Sequence, residues 1–234
     1  MLTRFARGAR SLHRTLIDLL FPPRCVTCRR VGIWFCDACQ SSMEKIRAPL
    51  CERCGRPLHR PPCPYCLALP LVIDGTRAIA FFEHKTRDAI HAFKYADRVE
   101  LAPIFAALLD AYLREQHIPF DVVIPVPLHA DRERARGYNQ SRLLARELQA
   151  RRGCVVWEDA LTRARATRHQ VELDAAERRD NVKDAFTASE RVRGRQVLLL
   201  DDVCTTGATM DACAAALKQK NAQSVWGLAI ARGR

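Results

Sequence analysis

Near the carboxyl terminus an apolar run, Val197-Leu198-Leu199-Leu200, leads into two acids, Asp201 and Asp202. After Val203 comes Cys204-Thr205-Thr206-Gly207-Ala208-Thr209. An apolar run of that length between turn signals reads as a buried strand, so both carboxylates emerge where it ends. Small residues around a glycine let successive backbone N–H groups converge, and a helix starting there adds positive partial charge, so the turn suits a phosphate. Thr205, Thr206 and Thr209 add hydroxyl donors. Carboxylates are poor phosphate ligands, which leaves Asp201 and Asp202 to serve another part of the ligand. Sugar hydroxyls fit them, directly or through Mg²⁺. Taken singly, Asp202 could be a helix cap and Gly207 a turn residue. The whole run is far more specific than a lone glycine-rich loop.

The second chemically dense segment lies at the other end. Eight of the eleven cysteines form four C-x-x-C pairs: Cys25/Cys28, Cys36/Cys39, Cys51/Cys54 and Cys63/Cys66. Two thiolates from one turn occupy adjacent corners of a tetrahedral Zn²⁺, so four pairs make two closed sites with no position left for chemistry. The metal is therefore expected to be structural, two zinc ions per chain. Gaps of 7, 11 and 8 residues between pairs favour two successive ribbons, with a cross-braced pairing as the open alternative. Gly55 follows Cys54 where a metal-binding knuckle often needs a permissive backbone. His59 is not needed beside four thiols, and Cys154, Cys204 and Cys213 read as packed thiols.

These residues need elements to position them. From residue 77 the pattern alternates. Strands are expected at 78–83, 122–127, 154–157, 196–203 and 225–231, with helices at 87–95, 101–115, 141–150 and 210–220. Strands separated by helices of this length imply a parallel α/β sheet with its ligand outside the carboxyl ends of the strands. The segment 129–139 reads as a polar loop, and 160–186 as polar, Arg-rich and poor in core residues. Ahead of the sheet, 67–76 reads as a linker. Residues 2–20 show a helical period with apolar positions on one face and Arg4, Arg7, Arg10 and Arg14 on the other. The expected organisation is an amphipathic helix (1–24), a cysteine-rich double ribbon (25–70) and an α/β domain (71–234).

The run from Val197 to Thr209 resembles the motif by which type I phosphoribosyltransferases bind phosphoribosyl diphosphate (PRPP). That resemblance implies a type I transferase-like parallel sheet flanked by helices. Asp201 and Asp202 would hold the ribose 2′- and 3′-hydroxyls, and Thr205, Thr206, Gly207, Ala208 and Thr209 would wrap the 5′-phosphate. Mg²⁺ would arrive with PRPP, held by the substrate's own oxygens. The 129–139 loop would meet the diphosphate through Arg136, Gly137, Tyr138 and Asn139; planar guanidinium forks suit phosphate oxygens. Residues 160–186 occupy the position of a hood that closes over the site, with Gln170, Arg178 and Asn181 as its polar contacts. Phe93-Lys94-Tyr95, Ile124-Pro125-Val126-Pro127-Leu128, Arg136-Gly137-Tyr138-Asn139-Gln140, Gln170, Arg178 with Asn181, Ala185-Phe186 and the multi-cysteine head are together similar to the ComF family. Lys94 is then either a phosphate contact or a surface lysine between two packed aromatics.

Members of that family act in natural transformation or in the use of external DNA as a nutrient. The resemblance thus implies single-stranded DNA, and a DNA helicase or translocase, as partners. Charge agrees with an anionic partner: residues 1–60 hold 12 Lys/Arg against 4 Asp/Glu within a net +12. Each zinc with four thiolates carries −2, so the raw count overstates the basic patch. A second arginine set, Arg132, Arg134, Arg136, Arg163, Arg165, Arg168, Arg178 and Arg179, belongs to the diphosphate loop and hood. No apolar window approaches the roughly 20 residues of a membrane span, and the N-terminal arginines leave no signal-peptide core, so a cytoplasmic location is expected. No residue stands out as the catalyst or as a binder of an acceptor base. The alternatives are a nucleotide-salvage phosphoribosyltransferase and a non-catalytic DNA-binding module regulated by PRPP or a 5′-phosphate.

Overall fold

A computed structural model of the chain describes residues 22–165, 182 and 184–234. The expected N-terminal helix and the polar hood positions Gln170, Arg178 and Asn181 lie outside the described residues, apart from 22–24 at the end of that segment. Two compact units divide the chain, Met1–Ser42 and Met43–Arg234.

In the smaller unit the chain reverses after Cys25, with an antiparallel bridge between Arg24 and Val31. Cys25 N–H donates to the Arg30 carbonyl at 2.8 Å, and the Arg29 N–H to the Cys25 carbonyl at 2.9 Å. A short helix, α1 (Asp37–Ser41), follows with Cys36 at its N-cap. Phe35 is fully buried, and Gln40 Nε2 donates to its carbonyl at 2.8 Å.

The same plan opens the larger unit. Cys51 N–H donates to the Arg56 carbonyl at 2.8 Å, Leu50 bridges Pro57, and α2 (Pro64–Ala68) starts from Cys63 as N-cap with proline at its first turn. Proline suits that position because its missing N–H has no helical partner there. The expected linker is instead a packed passage. Leu71 and Ile73 are buried, and the N–H groups of Val72 and Ile73 donate to Asp211 Oδ1 at 2.6 and 3.0 Å. Its apolar residues found a core to enter, which composition alone did not show.

The sheet then forms from β1 (Gly75–Phe81), β2 (Val122–Pro125), β3 (Val155–Val156), β6 (Gln196–Cys204) and β7 (Ser224–Arg232). Its order is β1-β7-β6-β2-β3 and every pairing is parallel. Helices cover parallel sheets on both faces, which is why the central strand β6 reads as a nearly continuous apolar run. Leu198, Leu199 and Leu200 are fully buried, each contributing about 1.5–3 kcal/mol by leaving water. The connecting helices are α3 (His84–Tyr95), α4 (Ala102–Gln116), α6 (Gln140–Arg152) and α7 (Ala208–Gln219). Among the described residues no helix is long and apolar enough to cross a membrane.

Two segments differ from the sequence expectation. Within 129–139 a helix, α5 (Ala130–Arg136), replaces the loop. His129 caps it by accepting from the Asp131 N–H, acids occupy its first turn and arginines its last, and Gly137 closes it at φ +83°. That charge order favours a helix through its dipole, and alternating signs had disguised it as polar loop. In 160–186, β4 (Leu161–Arg163) pairs antiparallel with β5 (Phe186–Ala188). Ala160, Leu161, Val182, Ala185 and Phe186 are buried.

Candidate functional site

A cavity of about 870 Å³ opens where β6 meets the helices. Strand β6 delivers Asp201 and Asp202 to it. Ser141, in the first turn of α6, donates from Oγ to Asp201 Oδ1 at 2.7 Å, and the Asp202 N–H donates to the same oxygen at 2.9 Å. Lys94, near the end of α3, holds Asp202 Oδ1 at 2.9 Å. Asp202 is buried, and its Oδ2 has no hydrogen-bond partner among the described residues. A buried oxygen without a donor is costly. Burial, and then the Asp202 carboxylate, push Asp201 up to about 7. Burial works against the Lys94 ammonium too. The Asp202 and Asp201 carboxylates more than offset it and hold Lys94 above its ordinary range. Lys94 thus reaches the acid pair and is not a surface lysine.

Below the acids the chain turns into α7. Gly207 is its N-cap at φ +86°, a backbone conformation open to glycine and strained for other residues. Thr205, Gly207, Ala208 and Thr209 line the cavity. Thr206 faces elsewhere: its Oγ1 accepts from the Ala208 N–H at 3.3 Å, fixing the first turn. The turn therefore combines a helix N-terminus, hydroxyls and a glycine bend, the donor set for a phosphate.

Of the four residues expected at the diphosphate, Arg136 lines the cavity. Its Nη1 donates to Gln140 Oε1 at 2.5 Å. Gly137 ends α5. Tyr138 donates its hydroxyl to the Phe93 carbonyl, and its ring lies 6.1 Å from that of Phe93. Asn139 is buried; it caps α6 by accepting from the Ser141 N–H at 2.9 Å and donates to the Val126 carbonyl at 3.1 Å. The structure gives Tyr138 and Asn139 framework contacts, because the helix turns them inward; neither lines the cavity. Pro127 and Leu128, after β2, do line it. Of the arginine set, Arg132, Arg136 and Arg163 line the cavity, and Arg134 pairs with Asp131. Arg168, Arg178 and Arg179 lie outside the described residues. Sequence reasoning missed Ser141, whose only signal was a hydroxyl in the first turn of a helix after Asn139.

The eight paired cysteines gather into two successive groups, Cys25/Cys28/Cys36/Cys39 and Cys51/Cys54/Cys63/Cys66, each with all sulfurs within 4.8 Å of one another. The cross-braced alternative is excluded. Sulfurs lie 3.6 Å apart for Cys28 and Cys36 and 3.7 Å apart for both Cys51–Cys66 and Cys54–Cys63. A tetrahedron with Zn–S bonds of about 2.3 Å places its sulfurs about 3.8 Å apart, so the residues fit zinc. All eleven thiols are free of disulfides. The exposed His59 belongs to neither group.

The second ribbon touches the turn into α7. Tyr65, between Cys63 and Cys66, donates its hydroxyl to the Thr206 carbonyl, while Arg56 lies 4.1 Å over its ring. Arg232, fully buried at the end of β7, donates to the Cys54 carbonyl. Arg77 on β1 donates to the Glu52 carbonyl at 2.8 Å.

Comparison with known proteins gives the same two parts. Residues 16–69 match the family described as double zinc ribbon domain, and residues 135–232 the family described as phosphoribosyl transferase domain. The chain is 33% identical over 218 residues to the DNA utilization protein YhgH of Salmonella typhi, covering 88% of this chain and 96% of the relative. It is 30% identical over 226 residues to Competence protein F of Haemophilus influenzae, covering 89% and 97%. With Competence protein ComFC of Bacillus subtilis it shares 26% identity over 206 residues, covering 79% and 78%.

Proposed function

Because the chain belongs to the ComF family, we propose that its transferase-like domain binds PRPP with Mg²⁺ in the service of handling single-stranded DNA taken up from outside the cell. Asp201 and Asp202 receive the ribose hydroxyls, and the turn from Thr205 to Thr209 receives the 5′-phosphate. The observation that carries this reading is the buried Asp202 Oδ2, which has no partner among the described residues, beside a phosphate-type turn. A Mg²⁺ bound together with PRPP would neutralise part of the diphosphate charge. Arg132 and Arg163 of the cavity add fixed positive charge there. If the bound sugar reacts, the bond from its anomeric carbon to diphosphate breaks as an acceptor bond forms, and charge stabilisation of the leaving group dominates. The relatives' names, DNA utilization and competence, and the basic first 60 residues support the DNA partner.

Calorimetry tests the ribose clamp. PRPP is expected to bind with Mg²⁺ and not without it, and the double variant Asp201→Ala/Asp202→Ala to lose binding while its circular dichroism stays native. Unchanged affinity in that variant would refute the clamp. The pH dependence has a definite sign. Asp201 is protonated below about 7, and a ribose hydroxyl donates to the carboxylate, so affinity weakens as pH falls from 8 to 6. That slope should vanish in Asp201→Asn. Turnover of PRPP with free bases alone would favour salvage; turnover or binding that requires single-stranded DNA favours the present reading.

A further inference from the structure

Part of the cleft wall is aromatic, and neither the ribose nor the phosphate chemistry uses it. In Phe93-Lys94-Tyr95 the three side chains divide their tasks: Phe93 is fully buried, Lys94 reaches Asp202, and Tyr95 is 69% exposed. His91 stands one helical turn before Tyr95 on the same face of α3. Their ring centroids are 5.5 Å apart in an edge arrangement. Phe82, just past β1, stacks on His91 at 5.9 Å with planes 29° apart. On the other flank the Arg136 guanidinium lies 5.1 Å from the Tyr95 ring centroid, held in orientation by Gln140. All four of these groups line the same cavity as Lys94 and Asp202.

We propose that Phe82, His91, Tyr95 and Arg136 form a stacking platform for an unpaired nucleobase of a single DNA strand, beside the ribose clamp. Aromatic faces and guanidinium planes bind bases of any identity by stacking, each base contributing substantially. Burial, then the charges of Arg87 and Lys94, lower the His91 pKa, which keeps its ring neutral and suited to stacking near pH 7. Gln140, buried beside the platform, fixes the Arg136 guanidinium through its Oε1. The cavity, about 870 Å³, lies near the top of the roughly 300–1,000 Å³ range of small-molecule clefts. It has room for a base in addition to a sugar phosphate. A strand is favoured over a free base because Tyr95, the ring at the arginine end, is open to solvent and not enclosed. Arg87, which also lines the cavity, provides a cation of the kind that a phosphate backbone requires.

The proposal rests on the cleft being a nucleotide-handling site, and the test separates the two. Fluorescence anisotropy with full-length protein compares a labelled 15-mer of deoxythymidine with a 15-mer of abasic sites. The thymidine strand is expected to bind the wild type about 5- to 100-fold more tightly than the abasic one. Tyr95→Ala should erase most of that difference, Tyr95→Trp should keep it, and PRPP affinity by calorimetry should stay within about twofold in both. Equal binding of the two strands to the wild type, absence of strand binding, or an unchanged thymidine affinity in Tyr95→Ala overturns the platform. Displacement of the strand by free thymine at equimolar concentration overturns the assignment to a strand. Loss of PRPP binding in the wild type would refute the ribose reading alone, since the base-dependent arms still report on the platform.

Discussion

Both zinc ribbons use a knuckle for the first two thiolates and a short helix, N-capped by the third, for the last two. The first closes on its own backbone, and among its described residues Cys25, Phe35, Cys36 and Cys39 are buried. The second is built into the transferase unit. Cys51 and Cys54 join the hydrophobic core with Leu71, Ile73 and Cys204, and Leu58, Tyr65 and Cys66 pack against it. Its Cys54 and Glu52 carbonyls accept from Arg232 and Arg77, and Tyr65 supports the Thr206 carbonyl. One ligand plan therefore serves two tasks. Metal at the first site would hold a local fold; at the second, where ribbon and core are continuous, it would also brace the turn into α7.

Removing ligands should show the largest contrast. Cys51→Ser/Cys54→Ser should leave one zinc per chain and destabilise the transferase unit by at least about 3 kcal/mol, roughly 6–12 °C in Tm for a unit of this size. Cys25→Ser/Cys28→Ser should also leave one zinc but shift that transition by less than about 2 °C. Elemental analysis with calorimetric melting reads both, and equal shifts would erase the distinction.

A matched pair of glycines sharpens it further. Gly32 and Gly55 both have positive φ, +96° and +66°. A Cβ on Gly32 meets nothing within 4 Å, while one on Gly55 would sit 2.1 Å from the Thr76 carbonyl oxygen. Gly32→Ala should cost only the left-handed backbone strain, about 1–2 kcal/mol. Gly55→Ala must also push strand β1 away and should cost clearly more, about 3 kcal/mol or above. Denaturant melts followed separately in each unit would compare them.

The smallest effect concerns one hydroxyl. Tyr65→Phe keeps the ring beneath Arg56 and removes only the bond to Thr206. PRPP affinity is expected to fall about threefold to tenfold, the equivalent of one ordinary hydrogen bond, with two zinc ions retained. An unaltered affinity would confine the second ribbon to a stabilising role.

Much of this molecule was legible along the chain. Cysteine spacing favoured the successive ribbons, because ligands of one tetrahedron must come from nearby turns when gaps are short. The apolar run ending in Asp201 and Asp202 marked the central parallel strand, because burial on both faces leaves no polar alternation to obscure it. Helix α5 was not legible, since its stability comes from charge order, His129 and Gly137, each ordinary in a loop. The docking of Tyr65 on Thr206, 141 residues away, and the approach of Ser141 to Asp201 were decided only in three dimensions. Local sequence determines which groups can bind metal or phosphate, because those chemistries need neighbours within one turn. Which ribbon supports the phosphate turn, and which donors hold the acid pair, depends on contacts between distant segments that no periodicity records.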